Sequence, residues 1–352
     1  MRVYLHIPFC RSKCGYCDFC SGHPLELKDR YLAALRRERN LRLRPGPLDS
    51  VYWGGGTPSL LSPGELRPLM EGLCLAPGAE VTIEANPEDI LPENLAGWSA
   101  LGINRISVGV QSLRDDELAA LGRRRSVREA RTAMDALAGS WQNWSVDLIA
   151  GAAGQTCASL LATLDEVVGH GPPHLSLYAL EVKPGSAVEA LDGDAMADLL
   201  SEAWGFLEAE GYRHYEISNF CRPGRESRHN LGYWRRDPYC GLGASAHSFE
   251  DGVRSWNLDA PEAYVRALEA GEGAREGEER LDAAQARWEE LLLQLRLDEG
   301  VERACVRPAD WRPLLDAGLA AARGERVALT GRGMLVFNEV ALYLEERVIQ
   351  AK

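Results

Sequence analysis

The sequence predicts an α/β fold: a partial (β/α)6 TIM-like barrel with a small C-terminal α+β/helical domain. Three observations lead there. Six short β-rich runs follow one another through the first half of the chain, and longer segments with helical spacing separate them. The 352 residues suffice for about two domains. Polar signatures fall at or just after strands, where barrels of parallel strands carry their chemistry.

The strand signals, in order, are VYLHI, SVYWGG, EVTIEA, RISVGV, SVDLIAG and HLSLYAL. Leu32, Leu35, Arg39 and Leu43 space a helix after the first of them. Leu66, Met70 and Leu73 space one after the second, and Val127, Ala130, Met134 and Leu137 one after the fourth. Strands alternating with helices imply parallel units with right-handed crossovers. From Cys221 to Phe249 the pattern gives way to a stretch rich in Gly, Arg and aromatic residues. Glu269–Arg280, EAGEGAREGEER, reads as a linker. Beyond it Trp288, Leu291, Leu292 and Leu295 share one helix face, and RVALTGRGMLVFNEVALYL reads as a short strand, a turn and a final helix. The expected division is a core domain over 1–225, a connecting segment completing the site over 226–275, and a C-terminal domain over 276–352.

Hydrophobic residues make up 45% and charged residues 26%, which excludes a disordered, collagenous or coiled-coil chain. No uncharged apolar run reaches the ~18–20 residues of a membrane span. The start, MRVYLHIPFC, lacks the pattern of a signal peptide, so the expected location is the cytoplasm. The net charge of −13 argues against a nucleic-acid partner, which would need clustered cations. The basic run Arg36–Arg44 reads as the solvated face of a helix, with an anion or lipid-headgroup patch as its alternative.

Nine cysteines, an odd number, in a chain of this size point away from disulfides. Cys74, Cys157 and Cys305 read as small core residues, and so do Cys221 and Cys240. Cys10, Cys14, Cys17 and Cys20 crowd into one segment. The spacing Cys10-x3-Cys14-x2-Cys17 lets three sulfurs converge from one loop. Iron–sulfur clusters are usually held by four cysteines, so three leave one iron for an exogenous ligand. Structural zinc, which favours two separated pairs, and a thioredoxin-like Cys-x-x-Cys are the rivals. Gly54–Pro58, GGGTP, follows a strand, and its glycines let backbone approach a ligand closely. Glu84 sits in an apolar strand, where a carboxylate needs a partner.

YLHIPFCRSKCGYC followed by YWGGGTPS resembles the radical SAM superfamily. Within it, IEANPE, RISVGVQS, SVDLIAG with GQT, HYEISNF through RHNLGYW to AHSF, and LTGRGMLVFNE resemble the coproporphyrinogen-dehydrogenase-like branch, over nearly the whole chain. That branch contains HemN-like dehydrogenases and HemW-like heme chaperones. HemN-like chains carry a further cysteine where Phe19 stands here, and an extension ahead of the cluster where this chain starts nine residues before Cys10. CDF, EANPE and RHNLGYW look like the chaperones. The departures from that pattern are Cys20 in place of Asn, Ala152–Ala153 in place of Leu-Pro, Ala244–Ser245 in place of Pro-Gly, and Arg125 in place of His.

The resemblance implies a [4Fe–4S] cluster on Cys10, Cys14 and Cys17, with Cys20 outside it, and S-adenosylmethionine (SAM) at the open iron. It implies cofactor contacts from Tyr4, Tyr16, Gly55, Gly56, Thr57, Glu84, Gln111, Arg123, Asp147 and Ala179. It also implies heme or porphyrin as cargo, and a recipient hemoprotein such as a respiratory-chain cytochrome, with transient membrane contact. Oxygen-independent coproporphyrinogen III dehydrogenation is the enzymatic alternative, and radical opening of the heme ring a third. His229, His247, Cys221 and Cys240 are candidate heme ligands, and Arg225, Arg228 and Arg235 candidate propionate partners.

Overall fold

The computed structural model of the chain describes residues 1–17, 20–123, 126–182, 186 and 188–349. Phe19 and Arg125 lie outside the described residues. All six expected strands form, in sequence order: β1 (Arg2–Ile7), β2 (Leu48–Gly55), β3 (Leu75–Ala85), β4 (Arg105–Gln111), β5 (Trp144–Ala150) and β6 (His174–Ala179). Each pairs in parallel with the next. The crossovers carry α1 (Lys28–Arg42), α2 (Pro63–Met70), α3 (Pro92–Ala100), α4 (Asp115–Ala120) with α5 (Val127–Ser140), and α6 (Cys157–Gly169). Ser62 with Glu65, Ser126 with Glu129, and Thr156 with Ser159 form capping boxes at the starts of α2, α5 and α6.

Period-two alternation divides each strand between two environments. Val3, Leu5 and Ile7 of β1, Val51 and Trp53 of β2, Val81 and Ile83 of β3, and Ile106 and Val108 of β4 join the hydrophobic core. The intervening positions are polar or small, and Glu84, Ser107, Gly109, Asp147 and Tyr178 line a single cavity. One cavity reached from β2 through β6 requires a curved sheet, as a partial barrel demands.

After β6 come α7 (Gly193–Ala209), β7 (Arg213–Glu216) and β8 (Asn219–Cys221), which extend the sheet antiparallel beside β6. Then α8 (Arg228–Trp234) packs across the barrel, and β9 (Tyr239–Leu242) pairs in parallel with β1. Beyond it β10 (His247–Glu250), β11 (Val253–Asn257), α9 (Pro261–Ala270) and β12 (Arg275–Arg280) follow. The expected linker is therefore corrected: β12 pairs antiparallel with β11 at the edge of the sheet. It carries no apolar residue because both of its faces are solvated, so its sequence looks like a linker.

The remainder comprises α10 (Ala283–Gln294), β13 (Val301–Glu302), α11 (Pro308–Asp316), β14 (Ala320–Arg323), β15 (Arg326–Leu329), α12 (Gly331–Leu335) and α13 (Phe337–Ile349). Its three strands form a separate sheet.

Two further expectations change. The Arg36–Arg44 run is not simply a solvated face. Arg39 is buried and donates to the carbonyls of Pro68, Leu69 and Glu71, closing the end of α2. Arg42 donates to Glu38, the Gly241 carbonyl and Ser248. Cys74 and Cys305 are exposed, whereas Cys157 is half-buried against the core and Cys221 and Cys240 are buried core residues. Among the described residues no helix is long and apolar enough to cross a membrane.

Candidate cofactor site

The loop from β1 to α1 carries the cysteines, and it leaves β1 at the carboxyl end of the sheet. Cys10, Cys14 and Cys17 are half-buried, are not in disulfides, and line one cavity of about 780 Å³. Among the described residues no three metal-ligating side chains share one coordination sphere; the sulfurs reach a common wall. Cys20 does not line this cavity. Its thiol donates to the Asp259 carbonyl at 3.2 Å. Burial, with Asp259 nearby, pushes its pKa up to about 11, so it stays protonated.

The glycine shelf closes tightly on the loop. A Cβ at Gly56 would lie 2.7 Å from the Phe9 carbonyl and 3.0 Å from Cys10 Sγ. Gly55 has φ +112°, and a Cβ there would meet the His6 ring. His6 itself bridges Tyr4 Oη at 3.0 Å and the Cys20 carbonyl at 2.8 Å, tying the exit of the loop to β1. Burial lowers its pKa and keeps it neutral.

A chain of hydrogen bonds runs from the sulfur. Thr57 Oγ1 donates to Cys10 Sγ at 3.4 Å and accepts from Asn86 Nδ2 at 3.1 Å. Asn86 Oδ1 accepts from Arg123 Nη1 at 3.2 Å, and Arg123 Nε donates to Tyr16 Oη at 3.2 Å. Ser59 holds the Asn86 amide and donates to Asp89, which pairs with Arg11. Cavity, shelf and loop are thereby one bonded unit.

Two carboxylates stand deeper. Glu84 accepts from Tyr52 Oη at 2.9 Å and from the Gly55 amide at 3.2 Å. Burial raises its pKa to about 7, and Asp147 adds to the rise. Asp147 accepts from Ser107 at 3.0 and 3.1 Å, and its own pKa is raised by burial. Gln111 ends β4 with φ +72°, an uncommon pose for a non-glycine residue.

The expected contacts Tyr16, Gly55, Gly56, Thr57, Glu84, Gln111, Arg123, Asp147 and Ala179 all line this cavity. Tyr4 lies beneath it, its ring 6.2 Å from that of Tyr52 and 2.9 Å from where a Gly54 Cβ would stand. Asn86 belongs to the bonded unit and was missed as a site residue, although the EANPE motif contains it. Arg296, Trp204 and Phe337 also line the cavity; Phe337 falls within LTGRGMLVFNE, and no local motif marks the other two.

The candidate heme residues lie elsewhere. His229 is buried, with Nδ1 bonded to Ser50 at 2.8 Å and Nε2 to Tyr233 at 2.8 Å. Its amide donates to Glu80. Since Ser50 and Glu80 precede Gly55 and Glu84 on their strands, α8 plugs the opposite, amino-terminal mouth of the barrel. Burial lifts the Cys221 and Cys240 thiols to about 12. Arg228 binds the Gly78 carbonyl and Arg235 pairs with Glu299. His247 and Arg225 are exposed.

A barrel of parallel strands with a three-cysteine loop over a glycine shelf at its carboxyl end is the architecture of the radical SAM superfamily, whose family model matches residues 4–167. The chain is 39% identical to Heme chaperone HemW of Mycobacterium tuberculosis, across 96% of this chain and 93% of that one. To Heme chaperone HemW of Escherichia coli it is 35% identical, across 76% of each. It belongs to the HemW family. Its fold is also that of coproporphyrinogen III oxidase (HemN) from Escherichia coli, with a TM-score of 0.84 at 22% identity, covering 97% of this chain and 89% of that one.

Proposed function

We propose that the chain is a heme chaperone. Cys10, Cys14 and Cys17 would hold a [4Fe–4S] cluster, SAM would bind at its open iron, and heme would be passed to a recipient hemoprotein such as a respiratory-chain cytochrome. One observation carries this reading: three cysteines of one short loop, a glycine shelf and two half-buried carboxylates line a single cavity in a HemW-family chain. The residues present fit the group. The donors are thiols free of disulfides, and the space beside Cys10 exists only because residue 56 is glycine.

A bound cluster with one open iron supplies a chelation point for the amino and carboxylate groups of SAM. The protein's own part is positioning. Thr57 donates to the Cys10 sulfur, and Asn86 and Arg123 fix Thr57 and Tyr16. Glu84, already held by Tyr52 and Gly55, would accept an N–H of the SAM amino group or the ribose hydroxyls. Gln111, Asp147 and Ala179 would complete the pocket. Residues 1–225 would carry the cofactors, 226–275 would complete the barrel around them, and 276–352 would wall the far side. The work would take place in the cytoplasm, with membranes met through the recipient.

The test is an anaerobic assay of cluster-loaded protein with SAM, a strong reductant and coproporphyrinogen III, the tetrapyrroles being resolved by mass. The expected result is no turnover, together with stable binding of added heme. Protoporphyrinogen in catalytic amount would make the protein a dehydrogenase instead.

A further inference from the structure

The cavity is longer than its cysteine end. Its far half is formed by Leu200 and Trp204 of α7, Ile217, Met334 and Leu335 of α12, and Phe337 at the start of α13. Those residues are apolar, Ser218, Asn338 and Glu339 line the cavity beside them, and one cation stands among them. Arg296 lies with its guanidinium carbon 4.3 Å from the centre of the Trp234 ring and 5.5 Å from that of Phe337. Two aromatic rings thus pack against the guanidinium. Its protein acceptor is Glu216, reached through Nη2 at a long 3.4 Å. The Arg296 Nε–H is buried and lacks an acceptor, and so is the Trp204 Nε1–H.

Those two N–H groups are closed off, but the Arg296 side chain as a whole is half-buried and lines the cavity, so its guanidinium can still take an acceptor from there. A guanidinium fork is matched best by a carboxylate. The surrounding surface calls for a flat apolar body attached to that carboxylate. We propose that Arg296 binds a propionate of a tetrapyrrole whose ring lies on this apolar half, so that the cargo shares one cavity with the cysteine loop. The proposal rests on the heme-chaperone reading and adds where the cargo sits and which side chain recognises it. It also moves the propionate partner from Arg225, Arg228 and Arg235 to a residue on the far wall of the cofactor cavity.

The test compares protoporphyrin IX with its dimethyl ester, which has the same ring without carboxylates. Binding to full-length protein is followed by absorbance. Wild type should bind the acid more tightly than the ester. Arg296→Met should weaken the acid by about tenfold to a hundredfold, as expected for a lost charge-assisted contact, and leave the ester unchanged. Arg296→Lys, which keeps a cation beside Glu216, should retain part of the preference. If Arg296→Met does not fold because Glu216 is left unpaired, Glu216→Gln/Arg296→Met removes both charges and is read the same way. An acid-to-ester ratio unchanged in a folded variant overturns the Arg296 assignment and leaves the chaperone reading standing. Failure of wild type to bind either porphyrin or heme overturns the chaperone reading itself.

Discussion

The two ends of the cavity contrast in how far their polar groups are already satisfied. At the cysteine end, Arg123 is bonded to Tyr16 and Asn86, Asn86 to Thr57, and Thr57 to Cys10. At the far end, Arg296 is half-buried on the cavity wall and makes one long contact, to Glu216. A site that must hold a cofactor in one pose benefits from side chains locked in advance. A site that loads and releases a cargo is better served by donors that the cargo itself completes. The contrast teaches that one cavity can be rigid where it anchors and incomplete where it exchanges.

The strongest way to break this comparison is at the sulfurs. Cys14→Ser should abolish the reconstituted cluster, because three sulfurs are the minimum for an open-iron site. Retention of about four irons per chain, the content of a [4Fe–4S] cube, and of the brown chromophore would refute the ligand assignment.

Glu84 gives a graded effect. Its pKa is about 7 in the free protein because burial disfavours the charge. An N–H or O–H of SAM is accepted better by the carboxylate than by the acid. SAM affinity should therefore be highest above about pH 7 and weaken as the pH falls below it, while Glu84→Gln should be weak and lack that dependence. A wild-type profile as flat as that of Glu84→Gln would show that the Glu84 carboxylate does not hold SAM.

Asn86→Ala sharpens the comparison by loosening only the cysteine end. Removing its amide strands Arg123 and Thr57 and should cost about 1–3 kcal/mol of stability, read by denaturant unfolding. It should also lower cluster occupancy while leaving porphyrin affinity alone. Equal losses at both ends would mean that they behave as one unit. The smallest effect is expected at Cys20→Ser: its thiol faces the Asp259 carbonyl, so iron content should match wild type. A fall to the level of the Cys14 variant would add Cys20 to the ligands.

Most of the barrel was legible because its signals are local. Six β-rich runs and the helical spacing of Val127, Ala130, Met134 and Leu137 are patterns of neighbouring residues, and those four side chains are all buried on α5. The cysteine loop, glycine shelf and Glu84 were legible for the same reason, each lying within a few residues of a strand end. β12 was not, because an edge strand solvated on both faces has no hydrophobic period to show. His229 looked available as a heme ligand because sequence cannot reveal that Ser50 and Tyr233 occupy both of its ring nitrogens.

The sequence by itself therefore determined the strands, their parallel order and the loop that gathers the sulfurs, since backbone periodicity and short spacings act over a handful of residues. Only the tertiary structure decided what faces what. It took α8 to the amino-terminal mouth of the barrel and exposed Cys74 and Cys305. It also carried Arg296, far along the chain from Cys10, to the wall of the same cavity. The physical reason is that burial and partnership depend on which distant surfaces meet when the core closes, and no local pattern of residues records that.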